Sequence, residues 1–392
     1  MDVRVSVKSV KILLDVSAVS PPLSGIGRYS LELARHLELQ DGVDEVAYLR
    51  GNRVTTSFDP AATVPPSSLS KWRQLLKQVL PYDLVLGPYR RKKSRALASS
   101  LGAYSDYIFH SPNFSVPPVS SRSVVTVHDL SVFHFPQFHP RDRVNYIRDQ
   151  IDHSVSKADR VITDSQFVRT ELLELYGLDP AQVVAIPLGV AAQFRPREAA
   201  EIAPVLAKYG LQAGHYLLSV GTIEPRKNLS GLLSAYLALD ATLRGRYPLV
   251  IAGAYGWNSS DLMARIEQLQ AAGEIIYLNY VPEDDLPTLY AGASVFCYFS
   301  FYEGFGLPVL EAMSCAVPVV CADSSALPEL CGDSGLLADP GETGAMAAAM
   351  QRALTDHEWR SDASRRGLAR SRHYRWDATA AGLVEVLAGI AA

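Results

Sequence analysis

Short, nearly continuous apolar runs rich in β-branched residues recur along the chain. In the first half they fall at 10–19 (VKILLDVSAV), 45–50 (EVAYLR), 106–112 (DYIFHSP), 123–130 (SVVTVHDL), 160–165 (RVITDS) and 183–190 (VVAIPLGV). The scheme repeats at 215–222 (HYLLSVGT), 247–256 (YPLVIAGAYG), 274–281 (EIIYLNYV), 293–300 (ASVFCYFS) and 317–325 (VPVVCADSS). Strands of this kind, separated by helical patterns rather than tight hairpin turns, predict parallel sheets covered on both faces. Two α/β domains in tandem follow, each Rossmann-like and doubly wound, facing one another across a cleft.

A more polar stretch without strand pattern at 191–211 divides the two sets and predicts a linker and hinge. The expected organisation is a first domain at 1–190, the hinge, a second domain at 212–375 and a terminal helix at 376–392 that packs back on the first domain. A chain of 392 residues is long enough for two cores of about 190 residues each.

Composition changes this picture little. Apolar residues make up 48% and charged residues 20%, with a net charge of −4, so nothing draws the chain as a whole to nucleic acid. Its four cysteines, Cys297, Cys315, Cys321 and Cys331, lie in or beside apolar runs and read as buried free thiols in a reducing compartment. The N-terminus lacks the apolar core of a signal peptide, and no run approaches the ~20 apolar residues of a spanning helix. A cytoplasmic protein is expected. Its basic segment 71–95 carries eight Lys and Arg against Asp83, with Trp72, Tyr82 and Tyr89 interleaved. That segment reads either as a contact with the anionic inner face of the cell membrane or as a solvated face.

In open parallel sheets ligands bind beyond the carboxyl ends of the strands, which singles out the loops there. Gly25 and Gly27 sit before an amphipathic helix, as a phosphate approach or a plain turn; the third glycine and the acidic residue of a dinucleotide fingerprint are missing. His128 ends a strand and is either a donor to substrate or a structural histidine. With His134 and His139 it could in principle hold a metal, but the spacing matches no metal motif, and 133–140 suits an acceptor wall better. Arg226 and Lys227 stand beside a helix start, as a diphosphate clamp or a surface pair.

The densest chemistry lies in FYEGFGLPVLEAM at 301–313. Gly304 and Gly306 allow a turn that exposes backbone N–H groups, and Pro308 suits the first turn of a helix. An anion is favoured at that helix mouth, so Glu303 and Glu311 call for hydroxyl donors, as on a nucleotide-sugar; the alternative is a pair of ordinary helix-start carboxylates.

These residues carry a resemblance. The E-x7-E of Glu303 and Glu311, with GTIEPRKN, VPEDDLPTLYAGASVF, VPVVCADSSALPEL and GLLADP, is similar to the retaining family 4 glycosyltransferases of the GT-B fold. It covers almost the whole chain, and SGIGRY and GTIEPRKN are most similar to bacterial mannosyltransferases of surface polysaccharide assembly that use GDP-sugars. The resemblance implies a donor nucleotide-sugar, GDP-mannose, as substrate, with no metal and no further cofactor. It also implies a glycan or lipid-linked glycan acceptor and retention of anomeric configuration.

By the same resemblance, Arg226 and Lys227 bind the diphosphate, Glu311 the ribose and Glu303 the hexose. The backbone of Phe305, Gly306 and Leu307, beside Gly304, contacts sugar and phosphate; Gly25 and Gly27 approach the phosphates, and His128 lies at the sugar. One departure is that Thr222 follows Gly221 where many members have arginine. The rival readings are a GT-B transferase of another donor (GDP-rhamnose, a UDP- or dTDP-sugar) and a nucleotide-sugar-binding protein without catalysis.

Overall fold

A computed structural model describes residues 9–20, 23–60, 101–116 and 122–391. The basic segment 71–95 lies outside them. Among the described residues the first sheet comprises β1 (Val10–Asp15), β2 (Val43–Arg50), β3 (Arg53–Thr55), β4 (Ile108–Ser111), β5 (Ser123–Val127), β6 (Arg160–Thr163) and β7 (Val183–Ala185). The second comprises β8 (Leu217–Val220), β9 (Leu249–Ala252), β10 (Ile275–Asn279), β11 (Val295–Tyr298), β12 (Val319–Ala322) and β13 (Gly335–Ala338).

Strand order is β3-β2-β1-β4-β5-β6-β7 in one sheet and β10-β9-β8-β11-β12-β13 in the other. All neighbours pair in parallel except the β2–β3 edge hairpin. These are the two doubly wound domains that the apolar runs predict. All five residues of β5 and all four of β9, β11 and β12 are buried, because helices cover both faces. Two strands fall outside the apolar runs read as strands: β3 alternates exposed and half-buried residues at an edge, and β13 is a four-residue apolar run that is only partly buried.

The stretch 191–211 is not a free linker. Residues Ala199–Lys208 form a helix that buries Ile202 and Leu206. Tyr209 donates to Asp285 in the second domain at 2.8 Å, and the carbonyl of buried Phe194 accepts from Ser314 at 2.7 Å. The segment has a polar average with an apolar stripe at helical spacing, which is why it lacks strand pattern and still docks.

The terminal helix Trp376–Ala391 lies on the first domain, with Trp376 against Tyr29 (centroids 6.2 Å) and Thr379 donating to the Pro187 carbonyl at 2.8 Å. The two crossings between domains run side by side, joined by Val190 N–H to Tyr374 carbonyl at 3.2 Å. Among the described residues no helix is long and apolar enough to cross a membrane, and all four cysteines are free and buried.

Candidate active site

The carboxyl ends of the two sheets face each other and enclose a cleft of about 540 Å³, within the range of small-molecule sites. Loops after β1, β5, β6, β8, β9 and β11 all reach it. Several bonds hold it closed. Ser165 donates to the Gly304 carbonyl (2.7 Å), Tyr302 hydroxyl accepts from Leu130 N–H (3.2 Å) and donates to Glu171 (2.5 Å), and Glu329 accepts Gln166 and Phe167 N–H (both 3.0 Å). Gly304 is required at its position by contact: a Cβ there would sit 1.7 Å from the His128 carbonyl oxygen in the opposite domain.

The turn after β11 delivers the central chemistry. Gly306 takes a left-handed φ of 108° at the start of helix Leu307–Ser314, with Pro308 in the first turn. Phe305, Gly306 and Leu307 line the cleft at this helix mouth, where the first N–H groups of a helix have no partner within it. The Phe305 side chain turns away and packs edge-on to Tyr374, with centroids 5.8 Å apart.

Glu303 binds both cations of the loop after β8. Its carboxylate lies 2.7 Å from Lys227 Nζ and 3.1 Å from Arg226, and also accepts from Tyr298 at 3.0 Å. Arg226 is further held by Glu224 (2.8 Å) and by the Tyr302 carbonyl (2.7 Å). Burial alone would raise the Glu303 carboxyl; Arg226 and Lys227 override it and hold it down to about 2. Lys227 is drawn below its ordinary value by burial and by Arg226 beside it, against the pull of Glu303.

Glu311 sits apart, one turn inside the helix and 8% exposed. Burial pushes its carboxyl up to about 7, offset in part by Arg28 from the first domain, which also pairs with Glu283 at 3.4 Å.

His128 is a strut. Its Nδ1–H meets Asp164 at 2.7 Å and its Nε2–H donates to the Pro112 carbonyl at 2.8 Å. Both partners offer acceptor oxygens, an arrangement that favours the doubly protonated ring. Burial opposes that charge, and Asp164 overrides it, raising His128 above the ordinary histidine range. The ring lines the cleft with both nitrogens committed, so its position bears on how the His128 carbonyl meets Gly304. The other two histidines go elsewhere: His134 pairs with Glu171 at 3.0 Å, and His139 leans on Trp257.

Gly25 and Gly27 lie inside the first turn of helix Gly25–His36 rather than before it, because Ser24 caps that helix by accepting from Gly27 N–H at 3.1 Å. Gly25 lines the cleft; Gly27 is buried behind it. The sequence reading did not single out Asp164, Tyr298, Arg28, Arg143 or Trp257 as site residues, and gave Asp129 no role of its own. Asp164 and Tyr298 stand at strand ends, the one signal that could have marked them.

Comparison with known proteins agrees with this architecture. Glyco_transf_4 (glycosyltransferase family 4) matches residues 23–194 and Glycos_transf_1 (glycosyl transferases group 1) matches 207–370. The chain is 41% identical over 368 residues to O-antigen chain mannosyltransferase B of Escherichia coli, covering 94% of this chain and 97% of that one. It belongs to the group 1 and family 4 glycosyltransferases. This glycosyltransferase has the GT-B fold: WaaG, a glycosyltransferase of lipopolysaccharide biosynthesis, superimposes with TM-score 0.73 at 13% identity, covering 96% of this chain and 99% of that one. HepE of Anabaena, solved with UDP-glucose, superimposes with TM-score 0.70 at 17% identity, covering 97% and 99%.

Proposed function

We propose that this glycosyltransferase moves mannose from GDP-mannose, with retention, to the end of a lipid-linked glycan in surface polysaccharide synthesis. The observation that carries the reading is the 41% identity over nearly all of both chains to an O-antigen chain mannosyltransferase. The guanine nucleotide follows the resemblance to transferases that use GDP-sugars.

The geometry gives each group a task. Arg226, Lys227 and the amides at the mouth of helix Leu307–Ser314 receive the diphosphate, and they stabilise the charge that grows on it as the glycosidic bond breaks. In the closed site the two cations hold Glu303. The arriving diphosphate takes over part of that pairing and frees Glu303 oxygens for hexose hydroxyls. Glu303 is then engaged by hexose hydroxyls, and the diphosphate departs directly through an oxocarbenium-like state with no covalent intermediate on Glu303. The diphosphate oxygen left behind then accepts the proton of the acceptor hydroxyl on the same face. Closure keeps water, the competing acceptor, out.

The test is mass-spectrometric transfer from GDP-mannose, GDP-rhamnose, UDP-glucose and dTDP-rhamnose to a lipid-linked mannoside, with the product anomer assigned by NMR. An α-mannoside formed from GDP-mannose alone is expected. Transfer from a UDP- or dTDP-sugar in its place, or an inverted product, overturns the reading.

A further inference from the structure

One mouth of the cleft holds a cation that the donor groups leave unused. Arg143, on helix Arg141–Val155 of the first domain, stacks its guanidinium over Trp257 of the second domain, 4.6 Å from the ring centre. Trp257 is itself anchored across the domain boundary, its indole N–H donating to the Phe138 carbonyl at 2.9 Å. Arg143 and Trp257 both line the cleft, and Arg143 and Thr222 are exposed there, so the cavity reaches solvent at this point.

The charged surroundings distinguish this mouth from the ribose end. Glu311 has Arg28 and Glu283 as charged neighbours, whereas Arg143 shares its neighbourhood with Asp129, Arg226 and His139. Arg226 is paired with Glu303 and Glu224. Among the described residues, no carboxylate lies within salt-bridge distance of Arg143; the other pairs of the site are all made. Asp129 also lines this region, and burial pushes His139 down to about 4, keeping it neutral. A mouth with one cation, one nearby carboxylate and a hydroxyl is close to neutral in sum. It suits a polyol better than an anion.

A guanidinium held over the face of an aromatic ring is restricted in where its fork of N–H donors can point. We propose that Arg143, oriented by Trp257, recognises the acceptor by donating to neighbouring hydroxyls on the terminal pyranose of a neutral glycan. The inference rests on the transferase reading above and names the residue that selects its second substrate. Because the two residues come from opposite domains, the subsite is complete only when the cleft is closed. Acceptor capture and water exclusion are thereby coupled.

The experiment measures binding in the presence of GDP, by ligand-observed NMR with α-linked mannobiose as probe and by calorimetry for GDP in the same samples. Wild type is expected to bind both. Arg143→Ala should keep GDP affinity within about twofold and weaken mannobiose at least tenfold. Arg143→Lys, which keeps charge but not the fork, should not restore it. Trp257→Phe, which keeps a ring but not the indole N–H, should weaken mannobiose several-fold, and its melting temperature reports whether the fold survives.

Unchanged mannobiose binding in Arg143→Ala, full recovery in Arg143→Lys, or wild type that binds GDP and no mannobiose, each overturns the proposal. Failure of wild type to bind GDP overturns the GDP-mannose reading instead, with the mannobiose comparison still deciding the role of Arg143.

Discussion

Glu303 and Lys227 are bonded at 2.7 Å inside the closed cleft, so the carboxylate proposed for the sugar and a cation proposed for the phosphate hold each other. Arg226 completes the cluster at 3.1 Å. With Glu224 on Arg226 at 2.8 Å, two carboxylates balance the two cations.

Removing the charge of Glu303 leaves two buried cations short of a partner. Glu303→Gln should destabilise the protein without ligand by about 3 kcal/mol. The carboxyl is depressed in the folded state, so its contribution is present above the unfolded glutamate range and is lost as pH falls toward about 2. The deficit should therefore be full at pH 7 and shrink in acid. GDP supplies the missing anion, so it should raise the melting temperature of Glu303→Gln more than that of wild type; an equal rise in both would show that the diphosphate does not take over the pairing.

Glu311 leads to the opposite pH dependence. Its carboxyl is raised to about 7, and ribose hydroxyls favour the ionised form. Calorimetry should show GDP affinity climbing several-fold between pH 6 and pH 8. In Glu311→Gln the affinity should be weaker and level across that range. A raised carboxyl also costs stability as pH rises from the unfolded range through about 7. Glu311→Gln should accordingly stabilise the protein without ligand at pH 8, by on the order of 3 kcal/mol, and leave it unchanged near pH 4.

Gly304 cannot carry a side chain while the cleft is closed, since a Cβ would lie 1.7 Å from the His128 carbonyl oxygen. Gly304→Ala should lower kcat at least 100-fold by holding the domains apart. GDP affinity should fall only a few-fold, because Arg226, Lys227 and Glu311 all belong to the second domain. Steady-state kinetics beside calorimetry would separate the two effects.

The Asp164 carboxylate keeps His128 charged at 2.7 Å. With a raised value in the folded state, the stabilisation from this pair is complete below the ordinary imidazole range and is lost as pH rises through the folded value. Asp164→Asn should move the alkaline fall in kcat to lower pH and leave GDP binding near wild type. An unshifted profile would mean that His128 protonation does not control the loop that meets Gly304.

Much of this was written in local pattern. The apolar runs specify the strands because a parallel strand buried on both faces needs a largely apolar stretch, and β5 and β11 are buried at every position. The sheet rule also marked the loops after β8 and β11 as cleft-lining, and Arg226, Lys227, Glu303 and Glu311 do line the cleft. The edge strand β3 and the docked helix Ala199–Lys208 were not written in local pattern, because their residues are chosen for tertiary neighbours that lie far off in sequence.

The sequence by itself determined two α/β domains, a cleft between their carboxyl ends and some of the residues that face it, Arg226, Lys227, Glu303 and Glu311 among them. The tertiary structure alone decided how those residues pair. It set Glu303 on Arg226 and Lys227, committed both nitrogens of His128, and placed Arg143 on Trp257 from the opposite domain. The reason is physical: a strand end fixes where a side chain starts, but its partner and its charge depend on burial and on groups brought in by the other sheet.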